Sequence, residues 1–263
     1  MSTKDAALPL NLWRVTVGGP DALSFLNSQL TVDPARSSPD CWHVSGWCDP
    51  KGRCLFIILY RCHEDGVDLV VPGEQADPLL NRLKMFAIRR RVELESSTPL
   101  GPSTKSGFPL RCDGSRRLSE STGPIDRQTW TDWLIADWRI GMPWLNVASS
   151  GRHLPQWLGL DRLGGLSYDK GCYPGQEVIA RVHYLGKSVQ QLVRFRLDEP
   201  KQAVAGEAMV EAGGKRVGEV LWSVVDGQAC LGLATIATET ASSMPQVLIQ
   251  GREARLSHPE RLC

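Results

Sequence analysis

The sequence predicts an α+β protein in which two mixed portions are followed by an all-β module. Helical and strand periodicities alternate over residues 12–95, and a second helical pattern follows in residues 126–141. Residues 189–263 carry strand-like runs without a convincing helix. With 263 residues, the chain is long enough for nearly two average domains of about 150 residues. We therefore expect three portions with the boundaries 1–95, 96–188 and 189–263.

The first portion is expected to begin with a strand over residues 12–17, where apolar and polar side chains alternate. After a Gly-Pro-Asp turn, Leu23, Leu26 and Leu30 fall on one face of a helix. Asp21 directly precedes this helix, and a side-chain oxygen there is typical of a cap on the first free amides. The pattern therefore predicts a strand followed by a helix capped by Asp21.

A β-hairpin is predicted next, with strands at residues 42–48 and 53–62. The intervening Asp49-Pro50-Lys51-Gly52 has Pro at the second and Gly at the fourth position, as type I turns prefer. A second helix is expected around Ala76, Leu79 and Leu83, before a short strand at 92–94.

The middle portion opens with residues 96–126, which are rich in Ser, Thr, Pro and Gly and predict either a linker or a hairpin at a domain edge. From Asp126 onward a helix is expected, because Trp130, Trp133 and Trp138 have helical spacing. The sequence Gly-Met-Pro that begins at Gly141 then ends the helix.

The last portion is predicted to be a small β-barrel or sandwich. Val193, Phe195 and Leu197 alternate with charged residues, as in a strand with one buried face.

Composition argues against several functional classes. Lys and Arg total 30 and Asp and Glu 29, and this balance removes the bulk electrostatic attraction of a dedicated nucleic-acid or anionic-membrane binder. The longest apolar run, residues 55–60, is far shorter than the roughly 20 residues of a membrane helix. The N-terminal residues lack the basic and apolar segments of a targeting signal. We expect a cytoplasmic protein with no membrane partner and no direct nucleic-acid partner.

The eight cysteines are expected to be mostly free, buried thiols, because a chain of this length does not need disulfides to fold. Cys41, Cys48, Cys54 and Cys62 lie close in sequence with two histidines between them, which leaves a metal site as the alternative.

The chemically informative segment runs from Tyr168 to Arg181 and contains Lys-Gly-Cys-Tyr-Pro-Gly-Gln-Glu. Pro174 is predicted to be the first residue of a helix, with Glu177 and Arg181 one turn apart on its surface. Cys172 then lies just ahead of the helix N-terminus, where free amides and the charge of Lys170 favour a thiolate. Gly171 and Gly175 allow tight turns or close approach of a ligand. The alternative is a buried cysteine in an ordinary connection.

No dinucleotide fingerprint, phosphate-binding P-loop, zinc-protease motif or serine-hydrolase elbow is present in the sequence.

This segment resembles the signature of the YgfZ family of folate-binding proteins, and the likeness extends over essentially the whole chain. It includes Trp13 to Leu26 and Gln29 to Asp33 at the start, the hairpin turn Asp49 to Arg53, and the approach to the cysteine through Arg139 to Pro143 and Leu154 to Gln156. Two positions depart from the family pattern: Pro174 replaces a common Thr, and Asp169 stands where a basic residue is frequent.

The resemblance implies the fold of the glycine-cleavage T-protein, an aminomethyltransferase in which three domains surround a folate cavity. It also implies a tetrahydrofolate-binding factor that supports assembly or repair of iron–sulfur enzymes, including those that methylthiolate tRNA. The implied cofactor is tetrahydrofolate or a derivative, and the implied partners are iron–sulfur client or assembly proteins.

The site residues that follow from the resemblance fall into two groups. The reactive thiol is Cys172, with Lys170, Gln176 and Glu177 beside it. The expected folate contacts are Trp13, Trp133, Gly171, Tyr173, Gly175 and Arg181. Flat indole faces suit the stacking of a pteridine or aminobenzoyl ring, although both tryptophans could equally be core residues.

Two other functions stay open at this point. A genuine aminomethyl or methyl transferase would need an acid or base, for which Asp49, Asp137 and Glu177 are the candidates. A cluster carrier that ligates iron itself is disfavoured, because the signature supplies one cysteine where clusters use about four ligands. We expect no permanent metal.

Overall fold

The structure is a computed structural model, and it describes residues 11–103, 106–121, 123–186, 188–243 and 246–260. The strands in these ranges are β1 Leu12–Gly18, β2 His43–Cys48, β3 Cys54–His63, β4 Gly66–Pro72, β5 Glu93–Ser103, β6 Phe108–Pro109, β7 Arg117–Glu120, β8 Gln190–Leu197, β9 Ala208–Glu211, β10 Arg216–Asp226, β11 Ala229–Ala237, β12 Val247–Ile249 and β13 Arg252–Ser257. The helices are α1 Ala22–Asn27, α2 Gly73–Phe86, α3 Arg127–Ile140, α4 Gln176–Leu185 and α5 Thr238–Ser243, with a short 3-10 helix at Pro34–Arg36.

The first seven strands form one antiparallel sheet in the order β2-β3-β4-β1-β5-β7-β6. Its central strand β1 pairs with β4 and β5, so that Trp13 lies opposite Val71 and Pro99. The segment predicted as a linker or an edge hairpin supplies β5, β6 and β7. Strand β5 continues through the expected boundary between residues 95 and 96.

The predicted hairpin is confirmed as β2 and β3. Its turn is held by the carboxylate of Asp49, whose Oδ1 accepts hydrogen bonds at 2.8 Å from the amides of Lys51 and Arg53. This turn also packs against Gly175. Gly175 belongs to residues 165–181, which carry Cys172 and are called the cysteine segment.

The two faces of the sheet pack against different layers. On one face, Val15, Val17 and other side chains pack against α1 and α2. On the other, Leu12, Leu59 and their neighbours pack against α3, residues 140–166 and the outside of the barrel. Side chains of successive strand residues point to opposite faces of the sheet. Within each strand, therefore, alternate residues pack against the same layer.

Helix α3 begins and ends as its sequence predicts. The side chain of Asp126 accepts a hydrogen bond from the amide of Thr129 at 2.9 Å, and Gly141 adopts the left-handed conformation, with φ 71°, after the last helical residue. Asp21 differs from its prediction. It makes no side-chain cap on α1 and binds Arg91 instead, with 2.9 Å between Oδ1 and Nη2.

The last six strands close into a barrel in the order β10-β11-β8-β13-β12-β9, which confirms the barrel among the predicted alternatives. The short helix α5 follows β11 and was not predicted. The barrel is tied to the middle of the chain by Trp222, whose indole N–H donates to the carbonyl of Met142 at 3.0 Å. Among the described residues, no helix has the length and apolarity needed to cross a membrane.

Candidate functional site

The cysteine segment lies along residues 27–36, which include the end of α1 and the first part of the connection to β2. The amide of Ser167 donates to the carbonyl of Thr31 at 2.9 Å, and the hydroxyl of the fully buried Thr31 donates to the carbonyl of Gly165 at 2.6 Å. These bonds fix the backbone of the segment before it reaches the cysteine.

Lys170 anchors the segment to the end of α1. Its buried ammonium donates to the carbonyl of Asn27 and, at 2.8 Å, to that of Leu30, and it lies 4.7 Å from the ring centroid of Tyr173. Burial lowers the pKa of Lys170 to about 8, and the charges of Asp33 and Cys172 oppose this shift. A cation at the carbonyl end of a helix stabilises it, so Lys170 holds the loop as well as supplying charge near the thiol.

Cys172 is the one exposed thiol among the seven cysteines in the described ranges. Four of the others are buried and two are half-buried. Burial raises the pKa of Cys62 to about 11 and that of Cys112 to about 12. A raised thiol pKa and burial both oppose reaction, so Cys62 and Cys112 are disfavoured as reactive thiols, whereas Cys172 is accessible.

The prediction that a helix begins at Pro174 is wrong by two residues, because α4 begins at Gln176. Gly175 precedes it in the left-handed conformation, with φ 80°, which interrupts any helix that starts earlier. A Cβ at Gly175 would lie 2.4 Å from the Cα of Gly52, since the segment packs closely on the β2–β3 turn. Cys172 is therefore four residues ahead of α4 rather than two, as predicted.

The remaining signature residues divide by exposure. Tyr173 is buried in the core, and burial raises its pKa. Gln176 is half-buried, whereas Gly171, Glu177 and Arg181 are exposed.

Two further contacts fix α4. The side-chain amide of Gln156 donates to the carbonyl of Ile179 at 2.7 Å, and the ring of Tyr168 stacks on His183 with centroids 3.7 Å apart.

The structure does not bring the two predicted folate tryptophans together. Trp13 packs with the cluster under α1 and α2, whereas Trp133 belongs to the cluster on the opposite face of the sheet. A single ligand therefore cannot stack on both.

Trp133 lines a cleft of about 590 Å³ between α3 and strands β5 and β7. The guanidinium of Arg116 lies 4.5 Å from the indole centroid and covers one face of the ring. The indole Nε1 of Trp133 and Nη2 of Arg116 are buried without hydrogen-bond partners. Both residues line a cleft whose volume lies in the range of small-molecule sites.

Two of the three carboxylates considered as an acid or base are already used in the structure. Asp137 is fully buried, and its oxygens accept from Arg116 and from Trp144 Nε1, each at 2.7 Å. Burial raises the pKa of Asp137, and these two partners oppose the shift. Asp49 holds the hairpin turn, which leaves Glu177 as the exposed carboxylate of the three.

Residue-by-residue reasoning missed Thr31 and Gly52 as supports of the cysteine segment. Both lie in stretches that carry the family resemblance, and this resemblance was the feature of the sequence that could have identified them. The cysteine and histidine cluster predicted as an alternative metal site is not borne out. Within the described ranges, no group of three or more His, Cys, Asp or Glu residues could hold a metal ion.

Comparison with curated proteins found relatives along most of the chain. An uncharacterised protein of Haemophilus influenzae is 27% identical over 262 residues, which cover 92% of each chain. The tRNA-modifying protein YgfZ of Escherichia coli O45:K1 is 26% identical over 278 residues, covering 86% of this chain and 85% of its own. The protein of the same name from Aliivibrio fischeri is 26% identical over 252 residues, which cover 81% of this chain and 79% of its own. No family model matches the chain.

Among solved structures, aminomethyltransferase T of the glycine cleavage system from Bartonella henselae superposes with a TM-score of 0.67. The match covers 95% of this chain and 85% of that protein at 14% sequence identity. The fold is therefore that of aminomethyltransferase T: mixed α and β, with a closed six-stranded barrel.

Proposed function

Because the chain belongs to the YgfZ family and has the fold of aminomethyltransferase T, we propose that it is a tetrahydrofolate-binding factor of the cytoplasm. In this proposal it supports the assembly or repair of iron–sulfur enzymes, including those that methylthiolate tRNA, through the thiol of Cys172. The relatives named as tRNA-modifying support the link to tRNA modification.

The observation that carries the proposal is the way Cys172 is presented. Its side chain is exposed, while Lys170 and Tyr173 on either side are buried and Gly175 packs against the hairpin turn. A thiol that meets another protein must be accessible, and a fixed backbone lowers the entropy lost when the partner binds. An ordinary structural cysteine would be buried instead.

The folate part of the proposal is supported by the cleft at Trp133. Its volume of about 590 Å³ lies in the range of small-molecule sites. Arg116 and Arg117 are part of its lining, and guanidinium groups suit the carboxylate oxygens of a folate. Trp13 lies on the other face of the sheet, so we assign the folate contact to Trp133.

Titration with tetrahydrofolate tests this assignment. Binding should quench tryptophan fluorescence, and Trp133→Ala should weaken it by about 1–3 kcal/mol, because alanine offers no ring to pack against the ligand. Trp13→Ala serves as the matched control and should bind normally. Normal binding by a folded Trp133→Ala protein would remove that cleft from the proposal, and absence of folate binding to the native protein would remove the cofactor.

Complementation tests the thiol. In cells that lack the native protein, Cys172→Ala and Cys172→Ser should each fail to restore the activity of an iron–sulfur enzyme, because neither side chain supplies a thiolate. The control Cys41→Ala removes a half-buried thiol and should restore it. Full restoration by stably expressed Cys172→Ala would assign the cysteine to packing.

Similarity of fold to an aminomethyltransferase favours one second candidate, a folate-dependent aminomethyl or methyl transferase. Such an enzyme needs a free acid or base near the reacting carbon. Asp49 and Asp137 are engaged in hydrogen bonds, so Glu177 would have to act. Folate-dependent turnover of an aminomethyl-lipoyl carrier, abolished in Glu177→Gln, would favour the transferase, whereas we expect no turnover.

A further inference from the structure

A second cleft, of about 480 Å³, lies between residues 152–157 and the barrel. We call it the basic cleft. Its lining includes Arg152, His153, Trp157, Lys215, Arg216 and Glu219. Three of these residues carry full positive charges and one carries a carboxylate, although the whole chain is almost neutral.

Glu219 holds two of the cations in place. Its Oε2 accepts a hydrogen bond at 2.6 Å from Nη2 of Arg152 and another at 2.6 Å from Nη2 of Arg216, and its Oε1 lies 3.0 Å from Nε2 of His153. The carboxylate is only 11% exposed, whereas the arginine side chains are 44% and 55% exposed. A guanidinium has five N–H donors, so each arginine keeps donors for a ligand.

Glu219 is ionised at neutral pH. Burial acts to raise its pKa, but the hydrogen bond and charge of His153 and the charges of Arg152 and Arg216 lower it below the ordinary value. The arginines are therefore fixed before any ligand arrives.

Trp157 gives the cleft a flat aromatic wall. The guanidinium of Arg53 lies 4.6 Å from the centroid of this half-buried indole and also donates to the carbonyl of Arg152 at 3.0 Å. Gln190 lines the same cleft, and its side-chain oxygen is buried without a partner. The cleft therefore combines an aromatic wall with three cationic side chains.

We propose that the basic cleft binds a nucleotide unit, a phosphate ester that carries a planar base, either free or within single-stranded nucleic acid. Arginine forks match phosphate oxygens, and aromatic rings stack on bases. The inference goes beyond the proposed function, which uses the cleft at Trp133 and the thiol of Cys172.

The near-zero net charge and the lack of a basic stripe along the sequence do not reveal this cleft. Arg53, Arg152, Lys215 and Arg216 come from three distant parts of the sequence and meet only in the folded protein.

Fluorescence anisotropy with the purified full chain tests the proposal, using a labelled mononucleotide and a labelled ten-nucleotide RNA as probes. Lys215→Glu leaves the bonds of Glu219 intact and should weaken binding of at least one probe about tenfold. Lys84→Glu, an exposed residue of α2, makes the same change in charge away from the cleft and should stay within about twofold.

The double variant Arg152→Ala, Arg216→Ala should weaken binding further. It should also reduce the slope of log affinity against log salt by about 0.7 for each phosphate of a single strand that the arginines neutralise in the native protein. Its far-UV circular dichroism must match the native protein. If the double variant does not fold, the difference in probe binding between Lys215→Glu and Lys84→Glu still tests the proposal.

The probes distinguish the two sources of the ligand. Tight binding of the mononucleotide identifies a free nucleotide, and affinity confined to the oligomer identifies single-stranded nucleic acid, and both support the cleft as a nucleotide site. Three results would overturn the proposal. Lys215→Glu and Lys84→Glu could weaken binding equally, or tetrahydrofolate could displace the probe. The third is absence of binding at about 50 mM salt, where phosphate contacts are strong. Folate titration of the native protein separates this failure from failure of the proposed function.

Discussion

Gly171 and Gly175 stand on either side of Cys172 and differ completely in their surroundings. Apart from Gly171 itself and its two chain neighbours, no heavy atom of the described residues lies within 4 Å of the position that a Cβ would occupy at Gly171. At Gly175 the same position is 2.4 Å from the Cα of Gly52 and 2.5 Å from the carbonyl oxygen of Asp49, and φ is 80°. One glycine belongs to an exposed tip, and the other belongs to a tightly packed flank.

The same division extends to the other residues of the signature. Lys170 and Tyr173 are buried, and together with the half-buried Gly175 they form the anchored flanks, whereas Cys172 is exposed with Gly171 at the tip. A compact motif therefore serves two purposes. The flanks hold the backbone, and the tip leaves a thiol free to react.

The largest expected effect is that of Gly175→Ala. Alanine at this position would have to adopt the strained left-handed conformation, and its Cβ would collide with the hairpin turn. The unfolding free energy should therefore fall by about 2–5 kcal/mol. Gly171→Ala is the matched control and should stay within about 0.5 kcal/mol. Urea unfolding followed by circular dichroism measures both. Equal stability of the two variants would contradict the division into flank and tip.

Lys170→Ala should have the next largest effect. The change leaves the carbonyls of Asn27 and Leu30 without their ammonium donor, and we expect the unfolding free energy to fall by about 1–3 kcal/mol. The exposed Lys51→Ala, in the hairpin turn, is the control and should be nearly neutral. If both lysine variants unfold at the same urea concentration, Lys170 is not an anchor.

The pKa of Lys170 predicts a smaller effect that depends on pH. The folded protein loses this proton near pH 8, whereas the unfolded chain keeps it up to its ordinary value of 10.5. Between these values the unfolded state binds more protons, so stability rises with pH in this window.

Comparison with Lys170→Met isolates this contribution, because the other titrating groups are common to both proteins. The unfolding free energy of the native protein minus that of the variant should increase from about pH 8 to about pH 10.5. A difference that falls or stays constant over this range would show that Lys170 titrates normally.

Local signals in the sequence were enough for the hairpin and for α3. Asp49 and Gly52 determine the hairpin turn, and Asp126 and Gly141 cap α3 with their own side chain or backbone. These features depend on a few neighbouring residues, which is why spacing and residue type predicted them.

Other features depend on contacts between distant parts of the chain. The start of α4 was misplaced because the left-handed Gly175 is set by its packing on Gly52. Trp13 and Trp133 were both expected at one folate, but the sheet separates them. Sequence spacing does not tell which layer covers which face of a sheet.

The smallest expected effect on stability is that of Cys172→Ala. The side chain is exposed, so the unfolding free energy should change by no more than about 0.5 kcal/mol. Cys48→Ala, a fully buried thiol of β2, is the contrasting variant and should be clearly destabilised. Comparable destabilisation of the two proteins would mean that Cys172 is packed rather than presented.

Alkylation of the native protein tests most directly the claim that the signature presents one reactive thiol. Iodoacetamide at neutral pH, followed over time by peptide mass spectrometry, reports the rate at each cysteine. We expect Cys172 to be modified first and well ahead of Cys41 and Cys62, the half-buried thiols of the described chain. Modification of Cys41 or Cys62 at the same rate as Cys172, in protein that remains folded, would contradict it.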